Sequence, residues 1–183
     1  MIADIIFFRG APGVGKSTLS HKIKPFFPGG VTIELDAFLK FFNSFKVGDP
    51  RRYPDALDCM CKTALEYLDK GYYPIFIISS MKYQRMIDHF LSKIKTSYSI
   101  ITLIAENDVL DQQIDSRSVG FKDKNASHEV NENMKQYRLN NEQVIETTGK
   151  TGDEIFNEVK KLFNLENLDK GFTEEKISQP MIG

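Results

Sequence analysis

An apolar run, Ile2 to Phe8, passes almost directly into Gly10-Ala11-Pro12-Gly13-Val14-Gly15-Lys16-Ser17, a G-x-x-x-x-G-K-S spacing, and Thr18-Leu19 then opens a helix-like stretch. No other part of the chain constrains the fold as much. The spacing makes consecutive backbone N–H groups turn inward on polyphosphate oxygens, which glycine permits by tolerating φ > 0 and by lacking a Cβ. A helix following such a turn directs its positive end at the same phosphates. Gly10, Ala11, Pro12, Gly13, Val14, Gly15, Lys16, Ser17 and Thr18 are therefore the expected phosphate-binding residues. Lys16 is placed to reach the β and γ phosphates and the Ser17 hydroxyl to ligate Mg²⁺. The expected ligand is a nucleoside triphosphate.

The remaining chain alternates strand-like and helix-like segments. Short apolar runs at Ile2–Phe8, Val31–Leu35, Ile75–Ile78 and Tyr98–Ala105, with a weaker fifth at Gln143–Thr147, read as strands. Segments at Ser17–Phe26, Pro54–Lys70, Tyr83–Ile94, Glu106–Arg117, His128–Asn140 and Gly152–Phe163 read as helices. The alternation predicts an α/β fold: a five-stranded parallel sheet with helices on both faces and ligands beyond the carboxyl ends of the strands. With 183 residues and 41% hydrophobic content, one domain over residues 1–163 is expected, followed by a polar, partly ordered extension over 164–183. There is no basic leader and no run of 18 uncharged apolar residues, so a cytoplasmic protein with no membrane partner is expected. Cys59 and Cys61 read as reduced structural thiols on different helix faces. A net charge of −1 gives no global attraction to polyanions.

Chemistry is then sought just after each strand. Asp36 follows the second strand, where a carboxylate can orient an attacking hydroxyl, take its proton and help hold Mg²⁺ through water. Position alone equally allows Asp36 to be an N-cap for a helix through Phe38, Leu39 and Phe42. Phe38, Phe41, Phe42 and Phe45 have the spacing of a helix face, which favours core over substrate stacking. Arg51-Arg52 is either a clamp for an anionic acceptor or a solvated pair, the commoner state of arginine. Glu106 is either an ATPase-type acid or the acid expected at a helix start. His21, His89 and His128 show no ligand spacing, so no protein-bound metal is implied.

The order of P-loop, acid after the second strand and a polar segment near residue 117 resembles the small P-loop kinases of the zeta-toxin, chloramphenicol phosphotransferase and polynucleotide kinase group. Gly10 to Thr18 is similar to that group's Gly-x-Pro-Gly-x-Gly-Lys-Ser-Thr, including Pro12. The resemblance implies ATP and Mg²⁺ as cofactors and Asp36 as catalytic base. It implies a lid over Ser118–Ser127, entered by a helix from Leu110, with Arg117 gripping the triphosphate. It also implies a loop around Gly149, Lys150 and Thr151 against the adenine. Three positions depart from the group: Gln113 and Arg117 stand where two arginines often occur, Ser80 where many relatives place an Asp, and Leu39 where a polynucleotide kinase has a nucleic-acid-contacting Arg.

Taken together, these residues predict an ATP-dependent phosphotransferase acting on a hydroxyl of a small molecule, with Lys16, Asp36 and Arg117 as its catalytic residues. The rival readings are a polynucleotide 5′-hydroxyl kinase, disfavoured by Leu39 and the balanced charge, and an NTP-hydrolysing or NTP-sensing module. Neither the acceptor nor the oligomeric state is legible in the sequence.

Overall fold

The strand that enters the phosphate loop is largely apolar, and both its faces are covered. β1 (Ile5–Gly10) is buried along its whole length, as a central parallel strand sheathed by helices requires. The computed structural model describes residues 2–43, 51–118 and 120–164. After β1 come α1 (Lys16–Ile23), a 3-10 turn at Lys24–Phe26, β2 (Val31–Glu34), α2 (Leu35–Lys40), α3 (Arg52–Asp69), β3 (Ile75–Ser79) and α4 (Gln84–Lys93). Then follow β4 (Tyr98–Ile104), α5 (Asn107–Asp115), α6 (Lys124–Gln136), β5 (Glu142–Glu146) and α7 (Gly152–Leu162). Phe45, Gly48-Asp49-Pro50, Val119 of the predicted lid and the tail from 165 to 183 lie outside the described residues.

The strands form one parallel five-stranded sheet in the order β2-β3-β1-β4-β5. Side chains alternate across it. Ile5 and Phe7, with Ile75, Ile77 and Ile100, face α2, α3 and α4, and Phe7 meets Phe90 edge-on at 5.2 Å between ring centroids. Ile6 and Phe8, with Phe76, Ile78 and Ile101, face α1, α5 and α7, and Phe8 stacks on Phe76 at 5.7 Å. The chain leaves β1 towards one edge for β2 and β3, then crosses to the other for β4 and β5. That reversal opens a crevice at the carboxyl end of β1, the usual ligand position in such sheets.

Five strands sit where the apolar runs place them, with shifted ends. β1 extends through Arg9 and Gly10 because those residues pair with Ser79, Thr102 and Leu103 of both neighbouring strands. Helix α6 starts at Lys124 rather than His128, since the Asp123 side chain caps it by accepting from the Ala126 amide at 3.0 Å. It ends at Gln136, where Tyr137 turns extended. The aromatic stripe is split. Phe38 and Phe42 pack against the core, but Phe41 is 73% exposed, because α2 ends at Lys40 and the helical register stops there. Cys59 is exposed and Cys61 buried, as their two-residue spacing on α3 dictates. Among the described residues no helix is long and apolar enough to cross a membrane.

Candidate active site

The turn from Ala11 to Gly15 carries the backbone between β1 and α1, with Gly13 at φ 95° and Gly15 at φ 100°. An L side chain at either position would be strained. Gly15 is the N-cap of α1 and offers no side chain to its amides, and the first turn of α1 holds no acid. Among the described residues the amides of Gly13, Gly15, Lys16 and Ser17 donate to no backbone carbonyl. Unpaired donors aimed from a helix N-terminus fit an anionic, oxygen-rich ligand, so the residues present suit a polyphosphate. The loop is braced from outside by Ser127 of α6, whose hydroxyl donates to the Pro12 carbonyl at 2.6 Å.

Lys16 folds back over this turn, its Nζ donating to the Gly10 and Ala11 carbonyls at 2.8 and 2.9 Å. Burial pushes the ammonium down to about 8, an effect opposed by the Asp36 carboxylate, reinforced by the Arg117 guanidinium and opposed again by Glu34. Lys16, Asp36, Arg117 and Glu34 thus share one electrostatic neighbourhood, although they come from α1, α2, the segment after α5 and the end of β2. The Tyr53 phenol belongs to it too: burial pushes it up, as does Asp36, against Lys82 and Arg52. All of these side chains line one cleft of about 1320 Å³ at the carboxyl end of the sheet.

Asp36 lies in the first turn of α2, one residue inside the helix, while Glu34 is the N-cap and makes no side-chain cap. The capping alternative for Asp36 is therefore corrected: its backbone is already helical, and its exposed carboxylate faces the cleft. Pro12, Gly13, Gly15, Lys16, Ser17, Asp36 and Arg117 all line that cleft, joined from the lid segment by Gly120 and Phe121. Gly149, Lys150 and Thr151 do not. Their loop runs beside α1, where a Cβ on neighbouring Gly152 would meet Thr18 Cγ2 at 3.5 Å. Thr151 caps α7 in a reciprocal box with Glu154, and Lys150 pairs with Glu158 at 2.6 Å.

The lid lysines have other duties. Lys122 Nζ donates to the Ile114 carbonyl at 2.9 Å and to that of Arg117, satisfying the carbonyl end of α5, and Lys124 pairs with Asp115 at 2.8 Å. Gln113 is exposed and away from the cleft lining, whereas Ser80 and Leu39 are part of it. Glu106 is the N-cap residue of α5 and pairs with Lys135 at 3.3 Å, the helix-start reading. Arg51 is exposed, but Arg52 is half-buried, lines the cleft and donates to the Leu39 carbonyl at 3.1 Å, so the pair divides between solvent and site.

A buried ion pair behind the site escaped sequence reasoning. Arg9 is 1% exposed on β1; it donates to Glu142 of β5 at 2.9 Å and to the Met81 and Lys82 carbonyls at 2.9 and 3.3 Å. The guanidinium thereby ties the sheet to the segment after β3, which forms one wall of the cleft. A lone arginine inside an otherwise apolar strand was the available signal, because an unpaired buried charge is too costly to occur. Asn131 of α6 was equally hidden. It is fully buried and clamps both backbone groups of Ala105, donating to the carbonyl at 2.7 Å and accepting from the amide at 3.3 Å.

No protein-family model and no curated protein matches this sequence. Solved structures do. A sugar kinase from a Janibacter species superposes with a TM-score of 0.68 at 16% identity, covering 88% of this chain and 95% of that one. The tunicamycin resistance protein of Deinococcus radiodurans gives 0.65 at 19% identity, covering 88% and 95%. A gluconokinase from Sinorhizobium meliloti gives 0.64 at 17%, covering 88% and 96%. With the parallel sheet and the phosphate turn, these likenesses establish an α/β P-loop NTPase fold. At these identities they speak to the fold alone.

Proposed function

We propose that this protein is an ATP-dependent kinase that transfers the γ-phosphoryl group to a hydroxyl of a small-molecule acceptor. One observation carries the reading: the Asp36 carboxylate stands in the same cleft as the P-loop lysine, near enough for its charge to act on Lys16, with unfilled space beyond it for a second substrate. The likeness to a gluconokinase and a sugar kinase supports the same reading at the level of fold.

In this reading the free amides of Gly13, Gly15, Lys16 and Ser17 hold the phosphates, and the loop at Gly149, Lys150 and Thr151 lies towards the base beyond Thr18. Lys16 leaves the Gly10 and Ala11 carbonyls to meet the β and γ oxygens. Ser17, exposed in the first turn of α1, and Asp36, through water, are the residues that would hold Mg²⁺, whose charge would offset that of the phosphates. Asp36 orients the acceptor hydroxyl and takes its proton as the acceptor oxygen bonds to the γ-phosphorus. The bond from phosphorus to the β–γ bridging oxygen breaks, and its electron pair leaves with ADP. Arg117 braces the charge that spreads over the equatorial oxygens. The expected compartment is the cytoplasm.

The test is incubation with γ-labelled ATP and a panel of hydroxyl compounds, with Lys16→Ala as the blank. Label on a small molecule supports the proposal. Label released only as free phosphate, or carried by Lys16→Ala at the wild-type rate, refutes it.

A further inference from the structure

The cationic residues of the cleft extend well beyond the phosphate turn. Among the described residues that line the cleft, six are cationic, Lys16, Lys40, Arg52, Lys82, Arg85 and Arg117, against two carboxylates, Glu34 and Asp36. The whole chain, by contrast, is slightly acidic. Lys16 and Arg117 belong to the phosphate turn and to the β4 side of the sheet. The other four come from the β2 and β3 side: Lys40 ends α2, Arg52 begins α3, and Lys82 and Arg85 flank the start of α4. Lys82 is matched by Glu129 of α6 at 3.1 Å, but among the described residues Lys40 and Arg85 have no carboxylate partner. Arg85 instead rests on the Tyr83 ring, 4.9 Å from its centroid, which aims a planar guanidinium without neutralising it.

The same wall receives two helix N-termini. α3, of 18 residues, and α4, of 10, both begin at the cleft, and neither first turn is capped by a side chain. The positive ends of these helices add to the field of Arg52 and Arg85. Leu39, Leu57 and Met86 add apolar lining to the same cleft. Tyr53 marks the join with the chemistry, since its phenol feels Asp36 on one side and Lys82 and Arg52 on the other.

We infer that the acceptor is a small organic anion, held by a phosphate or carboxylate group against Arg52, Lys82, Arg85 and the N-termini of α3 and α4, with its hydroxyl presented to Asp36. This rests on the kinase reading of the same cleft and names its substrate class. The cations that line the cleft on the β2 and β3 side suit an anionic head, and its apolar lining residues suit a compact carbon body. Electrostatic matching of this kind also excludes neutral analogues, because desolvating Arg85 with nothing to pair it is costly.

The experiment uses the full chain saturated with a non-hydrolysable ATP analogue, so that the phosphate turn is already filled. Phenyl phosphate, benzoate and phenol are titrated in turn and read by NMR chemical shift. Phenyl phosphate or benzoate is expected to bind at least 10-fold more tightly than phenol, and whichever is tighter names the head group. In Arg85→Ala that affinity falls by about 10- to 100-fold, the worth of a charge-assisted hydrogen bond, and Arg85→Lys recovers part of it. Analogue affinity stays at the wild-type value in both variants. Equal binding of phenol, or no binding of either anion, overturns the inference while leaving the nucleotide site standing. Weaker analogue binding in Arg85→Ala would assign these cations to the triphosphate and also overturn it. A 5′-hydroxyl oligonucleotide that binds more tightly than both small anions, with steep salt dependence, overturns the small-molecule class in favour of a polymer. Loss of analogue binding in Lys16→Ala, checked in parallel, tests the kinase reading separately.

Discussion

Lys16 offers the most discriminating prediction because its protonation is coupled to ligand binding. In the free protein, burial and the nearby Arg117 push its ammonium down to about 8 in spite of Asp36 and Glu34. At pH 8 about half of the molecules carry a neutral lysine, and at pH 7 about a tenth. A bound triphosphate brings several negative charges to Nζ and drives it back to the ammonium form. Nucleotide binding should therefore take up about half a proton at pH 8 and about a tenth at pH 7. Calorimetry in buffers of different ionisation enthalpy measures this, and Lys16→Met, titrated above its weakened Kd, subtracts protons that belong to the nucleotide. The same shift makes a stability claim. Between pH 8 and the usual lysine value near 10.5, the folded protein binds fewer protons than the unfolded chain, so stability rises with pH across that window. The rise is at most about 3 kcal/mol, and Lys16→Met should lack it. Wild-type uptake equal to that of Lys16→Met at pH 8 would mean that Lys16 is not buried as the structure places it, and the reasoning would fail.

Other substitutions separate roles that share the cleft. Asp36→Asn should lower kcat by roughly two to four orders of magnitude with nucleotide affinity and urea midpoint near wild type; an equal fall in stability and activity would return Asp36 to a structural role. Arg117→Lys keeps the charge but loses the planar fork, so a kcat defect with little change in KM for ATP is expected from steady-state kinetics. An unchanged kcat would remove Arg117 from the reaction. Glu142→Leu leaves the Arg9 guanidinium buried without its carboxylate and should cost about 3–5 kcal/mol in urea unfolding, most of which Arg9→Met in the same chain restores. Additive losses in the double variant would refute the pair as the source. Thr151→Ala breaks the reciprocal cap of α7 and should cost about 0.5–2 kcal/mol by the same measurement; a change within error would show that the cap contributes nothing.

The phosphate turn was legible because its chemistry is contiguous. Gly13 and Gly15 supply the left-handed backbone, and Lys16 and Ser17 follow on the first turn of α1, so eight consecutive residues describe the feature completely. The five strands were legible for a similar reason, since β1 and β3 are buried on both faces and are therefore mostly apolar. The role of Asp36 stayed divided in the sequence. A carboxylate after a strand serves equally as cap or as base, and only the immediate passage from β2 into α2 put Glu34 at the cap and Asp36 beside Lys16.

The G-x-x-x-x-G-K-S spacing and the alternating apolar runs thus determined the phosphate turn of this protein and its fold class. The rest of the cleft was decided by tertiary structure. Arg52 read either as a clamp or as a solvated charge, and it is the order β2-β3-β1 that brings α3 and α4, with Arg52, Lys82 and Arg85, to the same crevice. Arg9 and Glu142 lie 133 residues apart, and their pairing depends on β1, β4 and β5 lying side by side. Local backbone geometry is written in neighbouring residues, whereas the electrostatics of a cleft is a sum over charges whose distances exist only once the sheet has assembled.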